Sequence, residues 1–66
     1  MIEIFGKDSC PYTKAAVEAY APQGAKYINV KKDAAALERM LQLTKGRRAV
    51  PVIVEDGNVT IGYGGT

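Results

Sequence analysis

The segment Lys7-Asp8-Ser9-Cys10-Pro11-Tyr12-Thr13 gathers the residue types that thiol chemistry requires. Pro11 is welcome in the first turn of a helix, where its missing N–H costs nothing, and Asp8 or Ser9 suits the capping position ahead of it. Cys10 then stands just before the first helical residue. There it faces backbone N–H groups without intrahelical partners and the positive end of the helix dipole. Both favour the thiolate, and such placement lowers a thiol pKa from ~8.5 towards ~3.5–7.5. Lys7 adds a nearby positive charge, and Thr13, one helical turn on, can donate its hydroxyl to the sulfur. A free cysteine is most often a small buried hydrophobe. A position between a polar loop and a helix start, beside Pro11 and Thr13, marks a nucleophile instead.

Cys10 is the only cysteine, and there is no histidine. An intrachain disulfide, a zinc site of Cys and His ligands and a secreted disulfide scaffold are all excluded, so no metal is expected and the setting is read as the reducing cytoplasm. Without histidine the usual general base is missing, and the chemistry rests on a nucleophile activated by its surroundings. A net charge of +2 is too small to point to nucleic acid. No apolar run is long enough to span a bilayer, and with a strand pattern from Ile2 and neither a basic n-region nor an apolar h-region, no signal peptide is expected. With 66 residues, 47% hydrophobic and 24% charged, residues 1–66 are expected to form one domain with a thin stability margin.

The elements that position this segment are read from periodicity. Ile2-Glu3-Ile4-Phe5 predicts a short central strand, and Gly6 to Ser9 a loop. Ala15, Ala16, Val17, Ala19 and Tyr20 continue a helix that Pro22 and Gly24 end. Lys26 to Val30 alternates as a strand. Asp33 caps a second helix with Leu37, Met40, Leu41 and Thr44 on one face, Glu38, Arg39 and Gln42 towards water, and Gly46 just past its end. Val50 to Glu55 reads as a strand, Asp56-Gly57 as a hairpin turn, and Val59-Thr60-Ile61 as the return strand. The order β-α-β-α-β-β predicts an α/β fold with a four-stranded mixed sheet.

Ser-Cys-Pro-Tyr-Thr over residues 9–13 resembles the Cys-Pro-Tyr-Cys site of glutaredoxins, with Thr13 in place of the second cysteine. Ile4-Phe5-Gly6-Lys7 is similar to the family's first strand and its site lysine, and Gly46 to Pro51 to the loop that ends in Thr-Val-Pro. The resemblance covers nearly the whole chain and implies a minimal thioredoxin-like fold. It also implies a cis peptide before Pro51 and glutathione as co-substrate. Cys10 would form the mixed disulfide, with Pro11, Tyr12 and Thr13 in support. Lys7 and Arg47, ahead of Arg48, would hold a carboxylate of the tripeptide, Tyr12 would line the groove, and Val50, beside Pro51, would offer its backbone. The partners implied are disulfide or glutathionylated proteins, met by a monomer or weak homodimer.

Two departures shape the expected activity. Thr13 leaves Cys10 without a resolving thiol, which restricts it to the monothiol route through glutathione. The family's last helix is expected to be absent after Ile61, and its Gly-Gly turn matches either Gly62 or Gly64-Gly65. One sheet face is therefore expected to be poorly covered, with low stability or self-association as the result. The chain is also similar to small glutaredoxin-like proteins that carry cysteine or selenocysteine, some with a redox residue close to the C-terminus; by that likeness Gly62 to Gly65 would be a flexible arm bringing a resolving residue to Cys10. The alternatives are a glutathione-dependent iron–sulfur carrier, which Pro11 disfavours, and a thioredoxin-like binding module without turnover.

Overall fold

The computed structural model describes residues 1–64; Gly65 and Thr66, and with them half of the Gly64-Gly65 pair, lie outside the described residues. Its elements are β1 (Ile2–Gly6), α1 (Pro11–Tyr20), β2 (Lys26–Asn29), α2 (Ala34–Leu43), β3 (Val52–Glu55) and β4 (Asn58–Ile61), with a 3-10 turn at Ala21–Gln23. The order is the one expected. The strands form one sheet in the order β2-β1-β3-β4. β1 runs parallel to β2 and antiparallel to β3, and β3 antiparallel to β4.

Alternation along β1 divides the core between the two faces. Ile2 and Ile4 meet Ile53 and Ala16 of α1 on one face, with Val17, Tyr20 and Tyr63 packed around them. Phe5 and Val52 meet Ala36 and Met40 of α2 on the other. Met40 and Thr44 are buried as the helical spacing predicts, while Leu37 and Leu41 are half-buried. Arg39 does not simply face water: its guanidinium lies 5.1 Å from the Phe5 ring centroid and 2.6 Å from a Glu3 carboxylate oxygen.

Several boundaries differ from the sequence reading, each for a local reason. Gly6 belongs to β1, paired with Asn29, rather than to the loop. Val30 lies just past β2, although its N–H still donates to the Gly6 carbonyl at 2.9 Å. β3 begins at Val52 rather than Val50, since Pro51 has no N–H for the ladder. Lys45 rather than Gly46 directly follows the Thr44 cap of α2; both take positive φ, at 59° and 92°, and the Gly46 N–H closes the helix end on the Leu41 carbonyl at 2.7 Å. Asp56 and Gly57 both take positive φ, as a two-residue hairpin turn of this composition requires.

The expected poorly covered face is present and polar, with Asn58 and Thr60 exposed on it. Cross-strand partners share a face, so beyond α1 that face carries Glu55, Asn58 and Thr60. The strip is polar. The segment after β4 is not a free arm over its described part. The Gly62 N–H donates to the Pro51 carbonyl at 2.7 Å, and Tyr63 packs edge-on against Tyr20 at 6.3 Å between centroids.

Asp33 caps α2 as expected, its carboxylate accepting from the Ala36 N–H at 3.1 Å. Asp33→Ala should therefore cost ~0.5–2 kcal/mol in chemical denaturation, and Asp33→Ser much less.

Candidate active site at the start of α1

The local fold around Cys10 begins with an absence of side chain. A Cβ on Gly6 would lie 2.6 Å from Oγ1 of Thr13 and closer still to its methyl group. Glycine at the end of β1 thus lets the first turn of α1 settle directly on the strand, and Thr13 is only 2% exposed. Cys10 is itself the residue ahead of the helix, with extended backbone at φ −93° and ψ 115° and Pro11 following it. Neither Asp8 nor Ser9 caps the helix: no side chain does, and the Asp8 carboxylate is engaged by Tyr27 instead. The Cys10 N–H closes the loop on the Lys7 carbonyl at 3.2 Å.

Cys10 is 8% exposed, lying just below the surface. Burial pushes its thiol up, but the Thr13 hydroxyl, the N–H groups of Thr13 and Tyr12 and the Lys7 ammonium together outweigh it, and the thiol titrates below its ordinary value. The Thr13 hydroxyl is buried and makes no hydrogen bond among the described residues, although it lies close enough to the sulfur to favour its charged form. A buried hydroxyl without a partner is costly, and a thiolate is the acceptor that relieves it.

The other residues singled out by sequence are placed unequally. Lys7, Lys31 and Arg48 rim a cleft of about 160 Å³ floored by Leu37, Met40 and Val50. Arg47 does not line it; Arg47 is exposed, and its backbone carbonyl accepts from the Thr44 hydroxyl at 2.8 Å. The structure therefore brings Arg48, not Arg47, together with Lys7. The Val50–Pro51 peptide is cis, and Pro51 is buried at the head of β3. Tyr12 is 40% exposed, and a Cβ on Gly64 would lie 3.9 Å from its ring. On the other side of Lys7, Thr13, Val17 and Tyr27 floor a second groove of about 260 Å³. The Tyr27 hydroxyl donates to Asp8 at 2.8 Å.

Sequence reasoning missed Gly6 and Tyr27 as parts of this site. The register was the available signal, because Gly6 and Tyr27 both fall on the face that α1 covers. Among the described residues, no group of three His, Cys, Asp or Glu side chains gathers as metal ligands do, and no helix is long and apolar enough to cross a membrane.

A family model described as Glutaredoxin matches residues 2–60. The chain belongs to the glutaredoxin family. Its fold is close to that of a glutaredoxin from Archaeoglobus fulgidus, with a TM-score of 0.80 and 23% identity over 96% of this chain and 75% of that one. The thioredoxin-like protein BC3987 is similar at a TM-score of 0.82 and 30% identity, over 97% of this chain and 89% of that one. A point mutant of the same protein matches equally well, at 0.82 and 30%. No curated protein matches the chain by sequence. Family and fold together support a thiol–disulfide oxidoreductase-like role for this glutaredoxin, and Cys10 is the one cysteine it has for that role.

The depressed thiol also links acidity to stability. Between the folded and unfolded pKa values the unfolded chain holds a proton that the native thiolate has released, so stability rises with pH there. The contribution is fully present above the unfolded value of ~8.5 and is lost as pH falls through the folded one. Denaturation midpoints of the wild type should climb across that window relative to Cys10→Ser, which lacks this titration.

Proposed function

We propose that the protein is a monothiol oxidoreductase that removes glutathione from mixed disulfides. The observation that carries this reading is that Lys7 serves two places at once. Its charge favours the Cys10 thiolate, and its side chain rims the cleft that Lys31 and Arg48 complete. Among the described residues no carboxylate lines that cleft, so it suits an anionic ligand such as glutathione, with an apolar floor beneath.

In the proposed cycle the Cys10 thiolate attacks the glutathione sulfur of a protein–glutathione disulfide. That S–S bond breaks as the Cys10–glutathione bond forms, and the protein thiolate leaves with the electron pair and takes a proton from water. A second glutathione thiolate then attacks the glutathione sulfur held on Cys10. Glutathione disulfide departs and the Cys10 thiolate returns. Each exchange is favoured by a leaving sulfur of low pKa, which Cys10 is in the second step. Thr13, Tyr12 and Lys7 hold the negative charge on Cys10 at both ends of the cycle. Lys7 and Arg48 are the residues proposed to take a glutathione carboxylate, and Val50 beside Pro51 to face its backbone. A reducing compartment is the setting that this cycle requires.

Turnover of a glutathionylated peptide with glutathione tests the reading. Cys10→Ser should abolish turnover and leave the fold intact, and mass spectrometry of the wild type after glutathione disulfide treatment should find one adduct on Cys10. A charge-assisted contact is worth ~1.5–3 kcal/mol, so Arg48→Ala should raise KM by about tenfold or more. Arg47→Ala should change it less than about twofold, as an exposed charge outside the cleft does. No turnover and no adduct in the wild type would contradict the assignment.

A further inference from the structure

Asp8 poses a problem for a thiolate at Cys10. It is the one acidic residue in the loop that delivers the cysteine, and a carboxylate turned towards the sulfur would oppose ionisation there. The structure gives its carboxylate partners on β2 and in the turn after it. One carboxylate oxygen accepts from the Tyr27 hydroxyl of β2 at 2.8 Å, and the other lies 3.9 Å from the Lys32 ammonium in the turn after β2. That turn is itself ordered, since the Asn29 side chain accepts from the Lys31 N–H at 2.9 Å and the Asn29 carbonyl from the Lys32 N–H at 3.3 Å. The Lys32 pair is largely exposed and adds little by itself. Tyr27 is half-buried, floors the groove beside Thr13, and makes the shorter contact.

We infer that Tyr27 is a positioning residue for Cys10: by tying the Asp8 carboxylate to β2, it holds the loop in register and keeps that negative charge off the thiolate. The inference rests on Cys10 acting as a nucleophilic thiolate. The groups facing Asp8 bear it out. Tyr27 and Lys32 approach from the β2 side, Lys7 and Cys10 share its loop, and Lys14 and Glu18 of α1 line the same groove. Among these, Tyr27 and Lys32 are the groups within hydrogen-bond or ion-pair reach of the carboxylate. The Tyr27 hydroxyl is pushed up to about 12, first by burial, then by its bond to Asp8 and the charge of Asp8, and last by Cys10. It therefore stays a donor throughout the range in which the thiol titrates.

The test is the pH profile of Cys10 alkylation by iodoacetamide, which reads the thiol pKa. Tyr27→Phe keeps the ring in its groove and frees the carboxylate, so the pKa should rise by about half a unit to one unit. The double variant Tyr27→Phe with Asp8→Asn should return it to within about a third of a unit of the wild type, since the released charge is gone. A merely structural tyrosine would lower stability in both variants and show no such rescue. The inference is overturned if folded Tyr27→Phe leaves the profile unmoved, or if the double variant keeps the raised value. Asp8→Asn alone decides the matter independently of how Tyr27→Phe folds. With the tie in place it should move the pKa by less than about a third of a unit, and a fall of half a unit or more overturns the inference, because Asp8 would then already act on the sulfur. A wild-type thiol that titrates at its ordinary value overturns the functional reading and this inference with it. A low wild-type pKa that Tyr27→Phe does not move overturns this inference alone.

Discussion

The close approach of Thr13 to Gly6 is the contact on which the site depends. A side chain at the end of β1 would collide with both branches of the threonine, and the first turn of α1 would have to lift from the sheet. With glycine there, Thr13 and Ala16 are buried against the strand face that Ile4 and Ile53 complete. The helix start, and Cys10 ahead of it, are then held by the core itself rather than by the loop. In a chain of 66 residues, a site joined so directly to the core shares its rigidity with the fold.

This arrangement decides a contest of opposite effects at the sulfur. Burial favours the neutral thiol, while the Thr13 hydroxyl, the two backbone N–H groups and Lys7 favour the thiolate and prevail. The helix makes no side-chain cap of its own at this end. A helix start left uncapped leaves its N–H groups for the thiolate, so the local cost to helix stability and the acidity of Cys10 have the same origin. The loop carboxylate that could have served as a cap is turned to Tyr27 instead. On the α2 side, Arg39 bridges Glu3 and the Phe5 ring, which braces the neighbouring face without entering the site.

The element order, the helix faces and the place of Cys10 ahead of α1 were legible in the sequence because each rests on a local signal: period along the chain, a proline in a first helical turn, a cysteine ahead of it. Asp33 and the Asp56-Gly57 turn were legible for the same reason. Three features depended on the third dimension. Gly6 read as loop because its role is to be empty beneath Thr13, and a strand end and a loop start look alike in sequence. Arg47 and Arg48 are adjacent, and which of them meets Lys7 follows from the path of the loop after Thr44 anchors the Arg47 carbonyl. Tyr27 read as strand propensity, since its partner Asp8 is nineteen residues away in the chain. The thinly covered sheet face was legible by counting helices, but not its polarity: the register places Glu55, Asn58 and Thr60 on it, with Asn58 and Thr60 exposed.

The Thr13 hydroxyl, buried and without a hydrogen-bond partner among the described residues, is the donor placed to favour a thiolate at Cys10. Titrating the thiolate by its ultraviolet absorbance in the wild type and in Thr13→Val tests this role most directly, because valine keeps the shape beneath Gly6 and removes the donor. The account predicts a wild-type thiol that ionises below the ordinary ~8.5 and a valine variant shifted upwards from it. Equal titration curves for the two proteins, or a wild-type value at or above the ordinary one, would contradict it.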